Sequence, residues 1–332
     1  MAKKTGKKKK RILRKIIILL LIVVFLFLVM CFVTRGAEGN GITAEAGIEN
    51  LELPEPIDGE QIIRHTGYTL SYNEQAEQPS YVAYELTRAE VLNQNVERDD
   101  DFRADPMVKT GSAELNDYRG SGYDRGHMAP AADFRWSAEA MSDTFYLSNM
   151  SPQYPSFNRG IWADLEAAVR VMAYENESIY VVTGPVLTDG PYETIGENEV
   201  AIPKEYYKVI LDYTEPDIKA IGFLLPNEGS SKSLESFATT VNEVEERTGI
   251  DFYPSLPDEQ EELIEGTLDL SRWSFRTSLP EGAYDEDVEE ITYVSDPKDR
   301  IIEEIYSIFN EIKSLVFEYT GTEEIARKIG LL

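Results

Sequence analysis

Residues 16–33 read IIILLLIVVFLFLVMCFV, 18 apolar side chains without a charge. No other feature constrains the chain more. As a helix the run is long enough to cross a bilayer core, which takes about 17–25 residues. Lysines and arginines crowd its N-terminal side in KKKKRILRK, and only Arg35 follows. Cytoplasmic flanks collect such residues. The expected organisation is a basic cytoplasmic tail over 1–15, a transmembrane signal anchor over 16–34 and a body outside the cytoplasm. A cleaved signal peptide is the competing reading, because Ala44-Glu45-Ala46 supplies a small-residue pattern. The apolar run exceeds a usual signal core and that pattern lies well beyond it, which favours a retained anchor.

The charge divides at the same place. Lys and Arg number 32 against 60 Asp and Glu, a net charge of −28. Residues 1–35 hold ten of the basic residues and no acid, so the rest carries 22 against 60, or −38. An acidic body does not attract polyanions over long range, which disfavours a simple basic nucleic-acid binder. The one cysteine, Cys31, lies in the apolar run. The body therefore has no disulfide or thiolate chemistry, and with two histidines it has no Cys/His zinc cluster.

Residues 35–61 are rich in Gly, Glu and Pro and read as an acidic stalk. Globular patterning spans 62–279. Strands are predicted at 68–73, 81–87, 178–187, 206–213 and 220–227 from their aromatic and β-branched content. Residues 110–126 read as a loop. One helix is predicted to start near Asn158, with Ile161, Trp162, Leu165, Val169 and Met172 along one face. Another is predicted over 233–249, capped by Ser233 and stopped by Gly249. Residues 280–332 read as an acidic linker and an amphipathic helix over 298–319. Its apolar stripe is a candidate contact for a protein partner or a second copy.

The octet YDRGHMAP, residues 123–130, holds one of the two histidines. An imidazole titrates near neutrality and can act as a base. A lone histidine is more often structural, and His65 is read that way. Around His127, however, Gly126 permits a tight turn, Arg125 could fork a phosphate, and Asp124 could pair with that arginine. A base beside a phosphate clamp suits phosphodiester attack. Such chemistry calls for a hard divalent cation held by few protein oxygens. If one helix begins at Asn158, Glu166 lies two turns on and roughly 80° around it, on the same side. The plain alternatives are a helix cap for Asn158 and a solvated face for Glu166.

Together these residues carry a resemblance. NDYRGSGYDRGHMAPAADF, YLSNMSPQYPSFNRGIWADLE, YVVTGPVL, FLLPN and TTVNEVEERTGIDFYPSLPD resemble, in order, the DNA/RNA non-specific endonucleases, which include endonuclease G. The likeness covers roughly residues 62–275. It implies an α+β fold, a mixed and mainly antiparallel sheet with packed helices and a ββα-metal (His-Me finger) site. It also implies His127 as general base, Asn158 as direct Mg²⁺ ligand and Glu166 as a ligand through water, with Mn²⁺ able to substitute. Arg125 and Arg98 would stabilise the phosphate, Arg159 would contact substrate and Asn149 would orient the site. Asp124, Gly126 and Trp162 would support it. DNA and RNA would be the substrates, cut to 5′-phosphate ends.

Anchor plus domain is similar to membrane-bound DNA-entry nucleases of Gram-positive bacteria. The alternative is a silent nucleic-acid-binding or uptake protein on the same fold, whose signature would be a missing base or metal ligand. A basic cleft on an acidic surface is expected, built from Arg98, Arg103, Lys109, Arg119, Arg125, Arg135 and Arg159.

Overall fold

The computed structural model describes residues 44–45 and 48–285. The expected tail, the anchor at 16–34 and the helix at 298–319 lie outside the described residues. Among the described residues no helix is long and apolar enough to cross a membrane.

The strands are β1 (Gln61–His65), β2 (Tyr68–Asn73), β3 (Gln78–Thr87), β4 (Asp124–His127), β5 (Met150–Gln153), β6 (Ser178–Pro185), β7 (Thr194–Ile195), β8 (Val200–Ala201), β9 (Glu205–Asp212), β10 (Lys219–Pro226) and β11 (Ala238–Thr239). The helices are α1 (Arg88–Leu92), α2 (Leu115–Tyr118), α3 (Ala138–Asp143), α4 (Pro155–Asn158), α5 (Ile161–Asn176), α6 (Val241–Thr248) and α7 (Asp258–Glu265). Seven strands form one sheet in the order β1-β2-β3-β6-β9-β10-β11, antiparallel throughout. The fold is α+β, as expected.

The period of two along β9 divides the core. Tyr206 and Ile210 face Trp162, Leu165 and Val169 of α5. Tyr207, Val209 and Leu211 belong to the opposite core with Val241 and Val244 of α6 and Ile264 of α7. A strand covered on both faces needs apolar side chains at nearly every position. That is why β6, β9 and β10 read as short continuous apolar runs.

Two expectations are corrected. The stalk is not a spacer along its whole length. Leu51 is buried, and Ile48, Leu53 and Ile57 pack beside it on the second core. Glu60 accepts hydrogen bonds from Ser71, Asn73 and Ser80. Its scattered apolar residues dock on a sheet face without regular periodicity, so the pattern concealed them. The helix over 233–249 is also not continuous. Ser233 precedes only a 3₁₀ turn, Leu234–Phe237. The chain then extends as β11, whose pairing with β10 takes the backbone groups a helix would use. Helix α6 starts afresh at Thr240, whose hydroxyl accepts from the Glu243 amide, and ends at Gly249 with φ 72°. The expected loop at 110–126 contains α2 and the start of β4.

Candidate active site

Strands β4 and β5 form a separate hairpin in which His127 pairs with Met150 and Asp124 with Gln153. Helices α4 and α5 follow. His127 is the last residue of β4, and Asn149 fixes the turn beyond it. The Asn149 side chain accepts from the Ala129 amide at 2.9 Å and donates to the Ala129 and Thr144 carbonyls at 2.9 and 2.8 Å. Its amide is fully engaged and buried. Asn149 therefore holds the turn that follows His127.

The imidazole sits in an aromatic frame absent from the sequence reading. Phe145 and Phe102 stand edge-on to it at centroid distances of 5.0 and 5.6 Å. The same rings carry the two arginines. The Arg125 guanidinium lies 4.0 Å from the Phe102 centroid, and that of Arg98 lies 4.9 Å from Phe145. Such contacts fix a guanidinium while leaving its N–H groups available. Burial pushes the imidazole down to about 3, with the charges of Arg98 and Arg125 adding to the fall. His127 is thus neutral at physiological pH, and its Nε2 is buried without a protein partner. An unpartnered buried polar atom at a cleft wants a water or substrate group.

The metal half is arranged differently from the expectation. Asn158 does not open the long helix. Pro155 starts α4, Asn158 ends it, and Gly160 interrupts with ψ −117° before α5 begins at Ile161. A Cβ on Gly160 would come within 2.5 Å of the Ser156 carbonyl oxygen, so the break needs glycine. The 80° argument for Asn158 and Glu166 therefore fails, because the two residues stand on different helices. What positions Asn158 is Asp124. Asn158 Nδ2 donates to Asp124 Oδ2 at 3.0 Å, which turns Oδ1 away from the carboxylate. Among the described residues no donor meets that oxygen. Asp124 also receives a fork from Arg159 at 2.8 and 2.7 Å. Burial opposes its ionisation, but the hydrogen bonds from Arg159 and Asn158, with the charges of Arg159 and Arg125, hold its carboxyl below the usual range.

Glu166 lies one turn along α5, above a charged cluster. Burial raises its carboxyl to about 7, against the pull of Lys208 and Arg170, while Asp133 adds to the rise. Arg98 acts on both Glu166 and His127, so the base and this acid share one neighbourhood. Asp133 is held by Tyr84 and Arg170, both at 2.9 Å. Lys208 projects from β9 with its Nζ 4.8 Å from the Trp162 centroid and no hydrogen-bond partner. Burial lowers its ammonium to about 8. Trp162 is fully buried, its ring against Phe157 and Tyr206. Sequence reasoning missed Phe102, Phe145, Asp133, Arg170 and Lys208. A lysine inside the apolar run YYKVILDY was the available signal for the last.

Gly126 has a different reason from a tight turn. Its backbone is ordinary strand, but a Cβ would fall 2.1 Å from Gln153 Oε1 and 2.5 Å from its Cγ. The facing Gln153 side chain fills that space. His65 is structural: its Nε2 meets Asp105 Oδ2 at 2.9 Å and its ring stacks on Tyr146.

The expected basic cleft is only partly basic. Arg98 pairs with Asp100, Arg159 with Asp124, and Arg103 with Asp101 and Asp143. Among the described residues, Arg125, Arg119, Arg135 and Lys109 meet no carboxylate at ion-pair distance. Nor does any group of three or more His, Cys, Asp or Glu there form a metal cluster. A cation would rest on Asn158 Oδ1, supported by Glu166, and a carboxamide oxygen plus a carboxylate suits a hard cation that keeps its waters.

A neutral base whose aromatic neighbours carry two guanidinium groups, with a carboxamide held by Asp124 of the same strand, is equipment suited to phosphodiester hydrolysis. The comparisons with known proteins agree. The DNA/RNA non-specific endonuclease family matches residues 47–259. Human mitochondrial endonuclease G is 35% identical over 209 residues, covering 59% of this chain and 70% of that protein. Mouse mitochondrial nuclease EXOG is 35% identical over 228 residues, covering 64% of this chain and 61% of that protein. The chain thus spans about three fifths of the mouse relative's length. The crystal structure of the EndoG/EndoGI complex matches with a TM-score of 0.59 at 33% identity, covering 64% of this chain and 92% of that one. The chain belongs to the DNA/RNA non-specific endonuclease family.

Proposed function

We propose that the protein is a membrane-anchored, Mg²⁺-dependent endonuclease that hydrolyses DNA and RNA with little sequence preference, outside the cytoplasm. The observation that carries the reading is the neutral imidazole of His127, buried, unpartnered at Nε2 and flanked by Arg98 and Arg125. His127 takes a proton from water as its oxygen attacks phosphorus. The P–O3′ bond breaks, the phosphate stays on the 5′ side, and the 3′-oxygen leaves as a hydroxyl after taking a proton. Arg125 and Arg98 hold the phosphate oxygens and offset the charge that grows on them. Burial, with the positive charge of these arginines adding to it, keeps the imidazole neutral in the free protein, and a bound phosphate relaxes the part due to charge, so His127 becomes a better base when substrate is present. Asn158 would hold the cation through Oδ1 and Glu166 would hold it through a water. When bound, Mg²⁺ neutralises charge on the phosphate and the leaving oxygen; Mn²⁺ satisfies similar ligands.

The ββα-metal assignment rests on the β4–β5 hairpin followed by α4 and α5. The anchor reading rests on residues 16–34 and their basic flank, and a role in DNA uptake or degradation follows from that placement. The test is direct. Purified protein is incubated with plasmid DNA and with RNA, in Mg²⁺ or chelator. Wild type should cut both only with metal, and His127→Ala should lose at least about 100-fold, the low end for a general base. Equal cutting by the variant removes His127 from the mechanism. Metal-independent binding without cutting by wild type would favour a silent binding protein.

A further inference from the structure

Next to the phosphate clamp lies a feature the hydrolytic chemistry does not use. Residues Arg119 to Gly122 carry the chain from α2 into β4. They leave an open cavity of about 270 Å³ lined by Leu115, Tyr118, Arg119, Tyr123, Asp124 and Arg125. Across from it, Tyr154 follows β5. Its ring lies 4.8 Å from that of Tyr123 at 41°, and Tyr123 Oη donates to Tyr154 Oη at 3.0 Å. Tyr154 is 45% exposed, among the most exposed large apolar side chains of the described body. Its backbone is nevertheless fixed, because its amide donates to Asn227 Oδ1 at 2.9 Å. Asn227 is buried and also donates to the Pro152 and Pro203 carbonyls.

A core aromatic would be covered, and a floppy loop aromatic would not have its backbone anchored. This one is held at the surface. Arg125 closes the cavity on the clamp side and Arg119 lies on the other, with no carboxylate at ion-pair distance from either among the described residues. Gly120 and Gly122, at φ 74° and 89°, have nothing within 4 Å of a would-be Cβ, so the rim is open. An aromatic surface beside two arginines that make no ion pair among the described residues, with the one carboxylate of the lining, Asp124, already forked by Arg159, and continuous with a phosphate clamp, fits a flat apolar group on a polyanionic backbone.

We propose that the Tyr123–Tyr154 pair and the adjoining cavity form a nucleobase subsite that seats one unpaired base next to the phosphate held by Arg125. The proposal rests on the nuclease reading above. A base paired in a duplex cannot present its face to the pair. The subsite therefore favours single-stranded or locally opened substrate, in DNA and RNA alike.

Two measurements test it with the full chain. In chelator, where nothing is cut, a single-stranded oligonucleotide carrying one 2-aminopurine is titrated with protein. Wild type should quench the fluorescence on binding. Tyr154→Ala should bind about tenfold more weakly without quenching, and Tyr154→Phe should behave as wild type. Equal binding and quenching by Tyr154→Ala overturns the proposal. In Mg²⁺, a single strand with one abasic residue is mapped for cut positions. Wild type should show about a tenfold dip at a phosphate flanking the abasic residue, relative to the other phosphates of the same strand. Tyr154→Ala should show no dip. A flat wild-type map overturns the subsite and leaves the nuclease reading standing. No cutting at any phosphate by wild type overturns the nuclease reading, and the fluorescence arm still decides the subsite.

Discussion

Replacing Asp124 by alanine separates metal positioning from folding. Asp124 holds neither the cation nor the reacting phosphate in the reading above; it orients Asn158 through the 3.0 Å hydrogen bond and neutralises Arg159. The stability cost is modest, because Arg159 is well exposed and the bond to Asn158 is only part-buried. A hydrogen bond to a charged acceptor contributes about 1.5–3 kcal/mol, and partial exposure places this one at the low end. The metal effect is larger. Without Asp124 the Asn158 amide can present its NH₂ as readily as its oxygen, and a negative charge leaves the vicinity of the cation. An anion one amide group from a divalent cation, roughly 6 Å, contributes about 5.5 kcal/mol at an effective dielectric near 20 and about 1.4 in water. That brackets the loss of about 10- to 100-fold found when groups supporting a metal ligand are removed. The assay is cleavage rate against Mg²⁺ concentration, with Mn²⁺ binding measured directly by calorimetry. Asp124→Ala should need about 10- to 100-fold more metal for half-maximal rate and recover most of its rate at saturation. Asp124→Asn, which keeps an acceptor, should fall between. An unchanged metal requirement, with rate lost at every concentration, would refute the orientation argument.

Gly126→Ala should destabilise by about 1–3 kcal/mol in urea unfolding, because the new Cβ overlaps the buried Gln153 side chain. Adding Gln153→Ala should restore part of it; no rescue would mean the glycine serves something else. The buried imidazole sets a pH signature for the metal-free protein. Its folded pKa of about 3 lies below the usual 6.5, so as pH falls through 6.5 the unfolded chain binds the proton first and folding loses about 1.4 kcal/mol per unit. Glu166, raised from 4.5 to about 7, has the opposite sign: its contribution is present below 4.5 and lost as pH rises to 7. His127→Ala removes only the first slope, so between pH 6.5 and about 5 it should gain about 2 kcal/mol relative to wild type; a pH-independent difference would show that the histidine is not held neutral.

The parts legible in the sequence were those with local signals. Strands β6, β9 and β10 announced themselves because a strand covered on both faces must be apolar along its length, and β2 and β3 by their aromatic and β-branched content. His127 and its arginine lay in one octet, and Gly249 stopped its helix where a left-handed residue is needed. What failed depended on chain reversals. The Asn158 helix looked continuous because Asn-Arg-Gly permits a helix, and only the Ser156 carbonyl approaching Gly160 makes the break compulsory. The role of Asp124 was seen as a partner for Arg125, its neighbour in sequence, whereas strand geometry sends adjacent side chains to opposite faces. It pairs with Arg159, 35 residues away. The aromatic frame was illegible for the same reason: Phe102 and Phe145 come from separate segments and meet only around His127.

That frame also answers the difficulty posed by the charge. In a body of −38 an arginine at the surface tends to find a carboxylate, as Arg98, Arg103 and Arg159 do. A guanidinium in such a pair must exchange its carboxylate for the phosphate, as Arg98 would exchange the exposed Asp100, and so contributes less than a free one. Arg125 escapes this by lying over Phe102, which fixes it without cancelling its charge. The same logic applies to Lys208, seated on Trp162 beneath Glu166. Arg98 and Arg103 also lie on rings but keep carboxylate partners, so a ring fixes a cation, and at the site only Arg125 and Lys208 combine it with freedom from an ion pair among the described residues. An acidic nuclease can then grip a polyanion through a few uncompensated cations at the reacting phosphate, while the surrounding acids repel the rest of the strand. Substituting Phe102 by leucine would remove the ring and leave a smaller apolar side chain, and on this argument Arg125 would lose the surface that fixes it. Oligonucleotide affinity measured in chelator would then fall while the metal requirement for cleavage stays unchanged, because Asp124 and Asn158 keep their contact; unchanged oligonucleotide affinity would refute the argument.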